Sequence, residues 1–377
     1  MRRILKLKRL SFVLLSIIVI GFTSCSKSDS PEPEEIVRYL PGVYPNSEIT
    51  DGPFIYDNGS RYTIKWISKN RDVIERQIIG DNYGNFEADF GFPFDYINQF
   101  KTEASQINYT QEYNNIEKLV ALSDIHGQYD IFISLLRNNL VIDERNNWIF
   151  GSGHLVINGD IFDRGNRVTE ILWLVFKLEN QAKVNGGKVH FLLGNHEVMV
   201  INNDLRYIDP KYNTTARRLG TTYDQLYSKN LIIGQWLRTK PVIVKINDMI
   251  FNHAGISGEF VSIGLDIATT NQSFLQKIID VNEDIIESDP LLDFLTSSNG
   301  PIWYRGYFRD DGFNMSKLDL ILDYLNASHI IVGHTSMDEI KFYFSEKIIA
   351  IDSSIKNGDS GQILIYNNGT FTVGTID

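Results

Sequence analysis

Three short motifs close three apolar runs at almost even spacing: Asp124-Ile125-His126-Gly127, then Gly159-Asp160-Ile161-Phe162-Asp163-Arg164-Gly165, then Gly194-Asn195-His196-Glu197. The runs before them, residues 119–123, 155–158 and 189–193, have the length and composition of buried strands. A helical rhythm lies between. Residues 129–138 read as a helix, and after Gly165 the apolar Ile171, Leu174, Val175 and Leu178 fall at i, i+3, i+4 and i+7. A strand–helix–strand alternation of this kind commits the chain to parallel pairing. Polar groups at the carboxyl ends of such strands gather at one crevice.

The residue types at those ends are metal ligands. Asp124 and His126 lie two positions apart and can turn towards one ion. Asp160 can bridge two ions with its two oxygens, and Asn195 adds a neutral oxygen. His253 and His334, on two later strand ends, add imidazoles for a second ion. A set of oxygens and imidazoles suits two divalent ions of manganese, iron or zinc better than calcium, and it excludes a thiolate site. Two such ions about 3.5–4 Å apart would lower the pKa of a shared water and clamp phosphoryl oxygens for in-line attack. His196, beside Asn195, is then placed to protonate the leaving oxygen, with Asp163 to orient its imidazole. Arg164 offers a planar fork to phosphate oxygens. Taken singly, each motif is weak. An Asp-x-His is usually a turn, and Gly-Asn-His-Glu can be a helix start with Asn195 as cap and Glu197 in the first turn. The joint occurrence, in order and on strand ends, carries the reading. His154, His190 and His329 are read as structural.

The chain has 377 residues, 43% hydrophobic and 22% charged, enough for one large domain or two small ones. Its first residues do not belong to a core. Arg2, Arg3, Lys6, Lys8 and Arg9 precede an apolar run over 10–22, too short to span a bilayer comfortably as a helix. Thr23, Ser24 and Cys25 follow, although the run lacks the leucine usual three places before such a cysteine. Residues 1–24 are therefore expected to be a signal peptide of the lipoprotein kind, with Cys25, the chain's one cysteine, as the lipid-bearing residue. Residues 25–35 are acidic and contain prolines, as expected of a linker lifting the body off a membrane. The implied place is the bacterial cell envelope, with the outer membrane favoured and the body periplasmic or surface exposed. Loss of the signal removes five basic residues and no acidic one, so the body is still more acidic than the whole chain's net charge of −11. No nucleic-acid partner is expected of such a body. Any phosphate site in it must be locally basic.

Residues 36–115 read as a small β-rich unit, since 62–67 and 72–79 alternate and Gly80, Asp81 and Gly84 mark a turn. Residues 116–377 read as the domain that carries the motifs. Its later strands are expected at 242–246, 249–252, 330–332, 348–351, 362–366 and 370–373, the last ones antiparallel for want of intervening helices. Residues 202–236 and 259–299, helical with loops, are candidate walls above the site. The expected fold is α/β: a mixed-sheet β-sandwich flanked by helices, with the β-rich unit at its N-terminal side.

The motifs resemble those of the calcineurin-like metallophosphoesterases, and the Asp-Arg-Gly and Gly-Asn-His-Glu forms are similar to the PPP phosphoprotein phosphatases. Gly234-Gln235-Trp236-Leu237-Arg238-Thr239-Lys240-Pro241, Gly300-Pro301-Ile302-Trp303-Tyr304-Arg305-Gly306-Tyr307 and Val332-Gly333-His334-Thr335 look most like the bacterial branch called Shewanella-like protein phosphatases. The resemblance covers about residues 50–375. It implies Asp124, His126 and Asp160 at one metal, and Asp160, Asn195, His253 and His334 at the other. It further implies His196 with Asp163 as the acid pair, and Arg164 and Arg305 on the phosphate. Ser123 stands where the family has Gly, and Ala254 where Gly is common. The aromatic C-terminal motif of the eukaryotic Ser/Thr enzymes is lacking, which counts against a Ser/Thr preference. The resemblance to the bacterial branch implies a tyrosine or broad-specificity protein phosphatase using a dinuclear metal-activated hydroxide. Its partner would be a phosphorylated protein or a small phosphomonoester. A dinucleoside polyphosphate hydrolase, or a non-catalytic envelope lipoprotein that binds a ligand, are the alternatives.

Overall fold

The computed structural model describes residues 44–376. The expected signal segment 1–24, the linker 25–35 and Cys25 lie outside the described residues. Fourteen strands are described: β1 (Ile49–Asp57), β2 (Arg61–Ser68), β3 (Val73–Ile79), β4 (Glu112–Tyr113), β5 (Lys118–Leu122), β6 (His154–Ile157), β7 (Lys188–Phe191), β8 (Ile243–Ile246), β9 (Met249–Asn252), β10 (His329–Val332), β11 (Lys341–Tyr343), β12 (Ile348–Ala350), β13 (Gln362–Asn367) and β14 (Thr370–Thr375). They form three sheets, ordered β1-β2-β3, β11-β12-β10-β9-β8-β4 and β14-β13-β5-β6-β7.

The two larger sheets make the sandwich. In β5 the run Leu119-Val120-Ala121-Leu122 is apolar at every position because both faces are covered. Leu119 and Ala121 pack into the inter-sheet layer with Val156, Phe251, Ile331 and Ile349, while Val120 and Leu122 face the outer core that includes the helices. The period-two switch of faces repeats in β9, where Met249 and Phe251 point inward between the sheets and Ile250 points out. Asn158, just past β6, ties the sheets at one end by donating to the carbonyls of Asn252 (2.9 Å) and Ile331 (3.2 Å).

The β5, β6 and β7 strands are neighbours and parallel, as the motif spacing requires. The late strands are not all antiparallel as expected. β10 runs parallel to both β9 and β12. Helices between residues 258 and 325 supply the crossover from β9 to β10. β11, unrecognised from sequence, takes the sheet edge, so β12 inserts between it and β10 and returns in the parallel sense.

The N-terminal sheet is antiparallel, and two helices, Phe86–Phe90 and Asp95–Glu103, follow it. β1 was also missed in the sequence, because Asp51-Gly52-Pro53 reads as a turn; the strand accommodates it with register shifts on either side of Asp51. This region shares the core of the rest. Phe92 stacks on Trp173 of helix Val168–Val184 at 5.1 Å, and Trp173 Nε1 donates to the Pro53 carbonyl at 3.0 Å. β4 joins the large sheet beside β8.

Candidate metal centre

Six strands aim at one place. Asp124 follows β5, Asp160 follows β6 and Asn195 follows β7; from the facing sheet, His253 follows β9, His334 follows β10 and Asp352 follows β12. Asp124, His126, Asp160, Asp163, Arg164 and His334 all hold positive φ, between 47° and 72°. Each such non-glycine conformation costs on the order of 1–3 kcal/mol and persists where the surroundings over-determine it, which is typical of reactive centres. Three glycines here are required by contact alone: a Cβ on Gly165 would lie 2.4 Å from the His126 carbonyl oxygen. A Cβ on Gly194 would lie 2.2 Å from Asp160 Oδ1, and one on Gly333 would lie 2.0 Å from Ser123 Oγ.

The donor atoms fit a pair of cations. His126 Nδ1 bonds to the Phe162 carbonyl at 2.6 Å and His253 Nδ1 to the Asn158 carbonyl at 2.8 Å, so each ring presents Nε2 to the centre. Asp160 uses Oδ1 to accept the His196 backbone N–H at 3.0 Å. Its Oδ2 faces His253 Nε2 at 3.2 Å, His126 Nε2 at 3.7 Å and His196 Nε2 at 3.8 Å. Oδ2 is thus the oxygen turned to the middle, while Oδ1 also holds the backbone. Asn195 Oδ1 lies 3.0 Å from His253 Nε2, and Asp124 Oδ1 lies 3.9 Å from His126 Nε2. His334 Nε2 is buried without a hydrogen-bond partner. Two triads, His126–Asp160–His196 and Asp160–His253–His334, each have donor atoms within 4.8 Å of one another.

Electrostatics points the same way. Burial drives the imidazoles of His126 and His334 down, to about 3 and about 2, so both are neutral, as ligation requires. Burial pushes Asp124 up to about 8, with Asp352 adding to it. Burial would lower His253, but Asp160 carries it to about 10. Carboxylates and imidazoles that must trap protons to coexist are the groups that cations would satisfy.

Around this centre lies a cleft of about 290 Å³. His196, in the first turn of helix Asn195–Ile201, holds Asp163 Oδ2 at 2.5 Å through Nδ1. Burial opposes its charged form, but Asp160 and Asp163 raise its pKa above the ordinary value. Arg164 Nε reaches within 3.4 Å of His126 Nε2, and its guanidinium lies over the Tyr207 ring. Its backbone N–H donates to the Tyr207 carbonyl at 2.9 Å, which anchors the loop. Arg305 Nη1 donates to the His334 carbonyl at 2.9 Å and lines the cleft from the other side. All ten sequence-predicted metal, acid and arginine positions are thus brought to the centre or its rim; Cys25 is outside the described residues.

Several participants were not read from the sequence as site residues. Glu197 is fully buried, and its carboxylate accepts the backbone N–H groups of Asp160 (2.8 Å), Ile161 (2.7 Å), Phe162 (3.3 Å) and Gly194 (2.7 Å). It holds the Asp160 loop against the helix start. Gly194, not Asn195, is the N-cap, which frees the Asn195 side chain. Asp352 is buried near Asp124 and accepts from Ser336 Oγ at 2.7 Å, and Lys356 donates to that same hydroxyl. An aspartate closing an apolar run is the same signal that marked Asp124 and Asp160, and it was available in Ile351-Asp352. Tyr207, Trp303 and Arg309 also line the cleft, with nothing in their local sequence to single them out. His154 and His190 bond each other at 2.9 Å on adjacent strands, in keeping with structural roles.

A sandwich whose parallel strand ends deliver clustered oxygen and imidazole donors beneath arginines defines a metallophosphoesterase, a phosphoric monoester hydrolase. A family model for calcineurin-like phosphoesterase matches residues 117–337, and the chain belongs to that family. It is 30% identical over 266 residues to Shewanella-like protein phosphatase 1 of Plasmodium berghei, over 66% of this chain and 70% of that one. The crystal structure of a cold-active protein-tyrosine phosphatase from a psychrophilic Shewanella species matches with TM-score 0.77 and 38% identity, over 87% of this chain and 99% of that one. A protein serine/threonine phosphatase of Saccharomyces cerevisiae matches with TM-score 0.53 and 16% identity, over 74% and 87%, a likeness of fold alone.

Proposed function

We propose that this protein is a metal-dependent protein phosphatase of tyrosine or broad phosphomonoester specificity, with manganese, iron or zinc at two positions. Its carrying observation is Asp160 Oδ2, which faces three imidazoles beneath Arg164 and Arg305. Asp124, His126 and Asp160 would hold one ion, and Asp160, Asn195, His253 and His334 the other. Such a pair supplies Lewis acidity and an activated water for in-line displacement. Arg164 and Arg305 bind the phosphoryl oxygens from two sides and orient the ester. His196 Nε2 gives a proton to the departing oxygen, while Asp163 fixes the ring and favours its charged form beforehand. The tyrosine preference is supported by the 38% identity to the Shewanella enzyme.

Purified protein is expected to hydrolyse p-nitrophenyl phosphate with added manganese, to lose turnover on chelation and to regain it on metal return. Elemental analysis finding no metal, together with no turnover under any divalent ion, would end this reading. Phosphotyrosine peptides are expected to turn over faster than phosphoserine peptides of the same sequence.

The basic head, the apolar run and Cys25 support attachment to the cell envelope through a lipid on Cys25. In cells, Cys25→Ser is expected to move the protein from the membrane fraction to the soluble fraction and to abolish incorporation of labelled palmitate. Unchanged membrane retention without label would exclude the lipid.

A further inference from the structure

Next to the catalytic cleft lies a second, larger cavity of about 880 Å³. Arg305 and Arg309 line both, so the two openings share a wall. Its lining is largely apolar. Val261 comes from helix Gly258–Ile263, Phe313 from the loop beyond Arg309, and Leu320, Ile321 and Tyr324 from helix Met315–Leu325. The last helix carries two apolar stripes. Leu318, Ile321, Leu322 and Leu325 enter the core. Leu320 and Tyr324, at i and i+4, share another face and are 68% and 42% exposed. Single exposed apolar residues are ordinary. A contiguous set, rimmed by polar groups and opening beside a reactive cleft, marks recognition.

We propose that this groove receives the segment of a phosphoprotein substrate that flanks the phosphorylated residue, and that it selects apolar side chains there. The inference rests on the protein-phosphatase reading above. Continuity identifies the occupant: a phosphate seated between Arg164 and Arg305 leaves the polypeptide that carries it beside Arg305, where the groove begins. The lining carries three cations, Arg305, Arg309 and Lys317, and two carboxylates, Glu259 and Asp310. With Arg305 taken up by the phosphate, the remaining charges are equal in number, so the discriminating surface is the apolar floor. A small phosphomonoester is served by the cleft alone and is indifferent to the groove.

The test compares two phosphotyrosine peptides of equal length, one with Leu and Phe flanking the phosphorylated residue and one with Ser and Gly. The native protein is expected to favour the apolar-flanked peptide about tenfold in kcat/KM, through KM. Leu320→Glu and, separately, Tyr324→Gln are expected to erase that preference while p-nitrophenyl phosphate turnover stays at the native level, which also certifies folding. Equal kcat/KM for the two peptides on the native protein would overturn the groove's role, and so would a preference that survives both substitutions. Light scattering that finds a dimer broken by Leu320→Glu would overturn it in favour of a second copy of the chain. Absence of p-nitrophenyl phosphate turnover in the native protein is a different failure, that of the phosphatase reading itself.

Discussion

His196→Ala is expected to lower turnover about 10²–10⁴-fold, the usual share of a positioned general acid, while metal content stays at the native level. The geometry gives this residue two possible employments. Its Nε2 is 3.8 Å from Asp160 Oδ2, inside one of the ligand-sized triads. Its Nδ1, however, is committed to the Asp163 carboxylate at 2.5 Å and not to a backbone carbonyl, and Asp160 and Asp163 favour the protonated form that a proton donor needs. His126, by contrast, is driven neutral by burial and has its Nδ1 on a backbone carbonyl, the arrangement of a ligand. Acid and ligand are thus told apart by what the second nitrogen touches. Elemental analysis beside steady-state kinetics decides: a variant that loses metal along with turnover would make His196 a ligand and leave the proton donor unassigned. The defect should also shrink on p-nitrophenyl phosphate relative to a phosphotyrosine peptide, because nitrophenolate leaves with less need of a proton.

Glu197→Ala is expected to cost about 3–6 kcal/mol of folding stability, the largest loss from any single polar truncation around the centre. The side chain is fully buried, and alanine would remove the acceptor of four backbone N–H groups. Each orphaned buried donor costs about 1–3 kcal/mol, less than additively when neighbours relax together. Glu197→Gln keeps one carbonyl oxygen but turns an NH₂ towards the remaining donors, so it should recover only part of the loss. Urea unfolding with the chelator present isolates this effect from metal linkage. An unfolding free energy within about 1 kcal/mol of native for Glu197→Ala would mean that water replaces the carboxylate, and that Glu197 does not hold the Asp160 loop.

Much of the centre was legible in the primary structure because two periodicities meet there. An apolar run of strand length followed by Asp, Asn or His states both that the backbone is buried and that its polar end emerges at the sheet edge. That was enough to nominate Asp124, Asp160, Asn195, His253 and His334. The same rule applied to Ile351-Asp352 names Asp352, but an antiparallel β12, as the sequence suggests, would carry that end away from the centre. Its orientation depends on β11 occupying the sheet edge, and three residues, Lys341 to Tyr343, leave too faint a pattern to see. β1 was hidden by Asp51-Gly52-Pro53 for a related reason: local turn chemistry was overruled by pairing with β2 and by packing against helix Val168–Val184.

The parallel run β5-β6-β7 and the donor types at its strand ends follow from the sequence, since they depend on residues near one another in the chain. Only the tertiary structure decided that β12 would bring Asp352 to the same centre, that Asp160 would turn Oδ2 to the middle while Oδ1 holds the backbone, and that Glu197 would serve the backbone. Those outcomes are fixed by contacts such as Asn158 to Asn252 and Ile331, and by the competition of several donors for one carboxylate. Such long-range contacts leave no periodic trace in the order of residues.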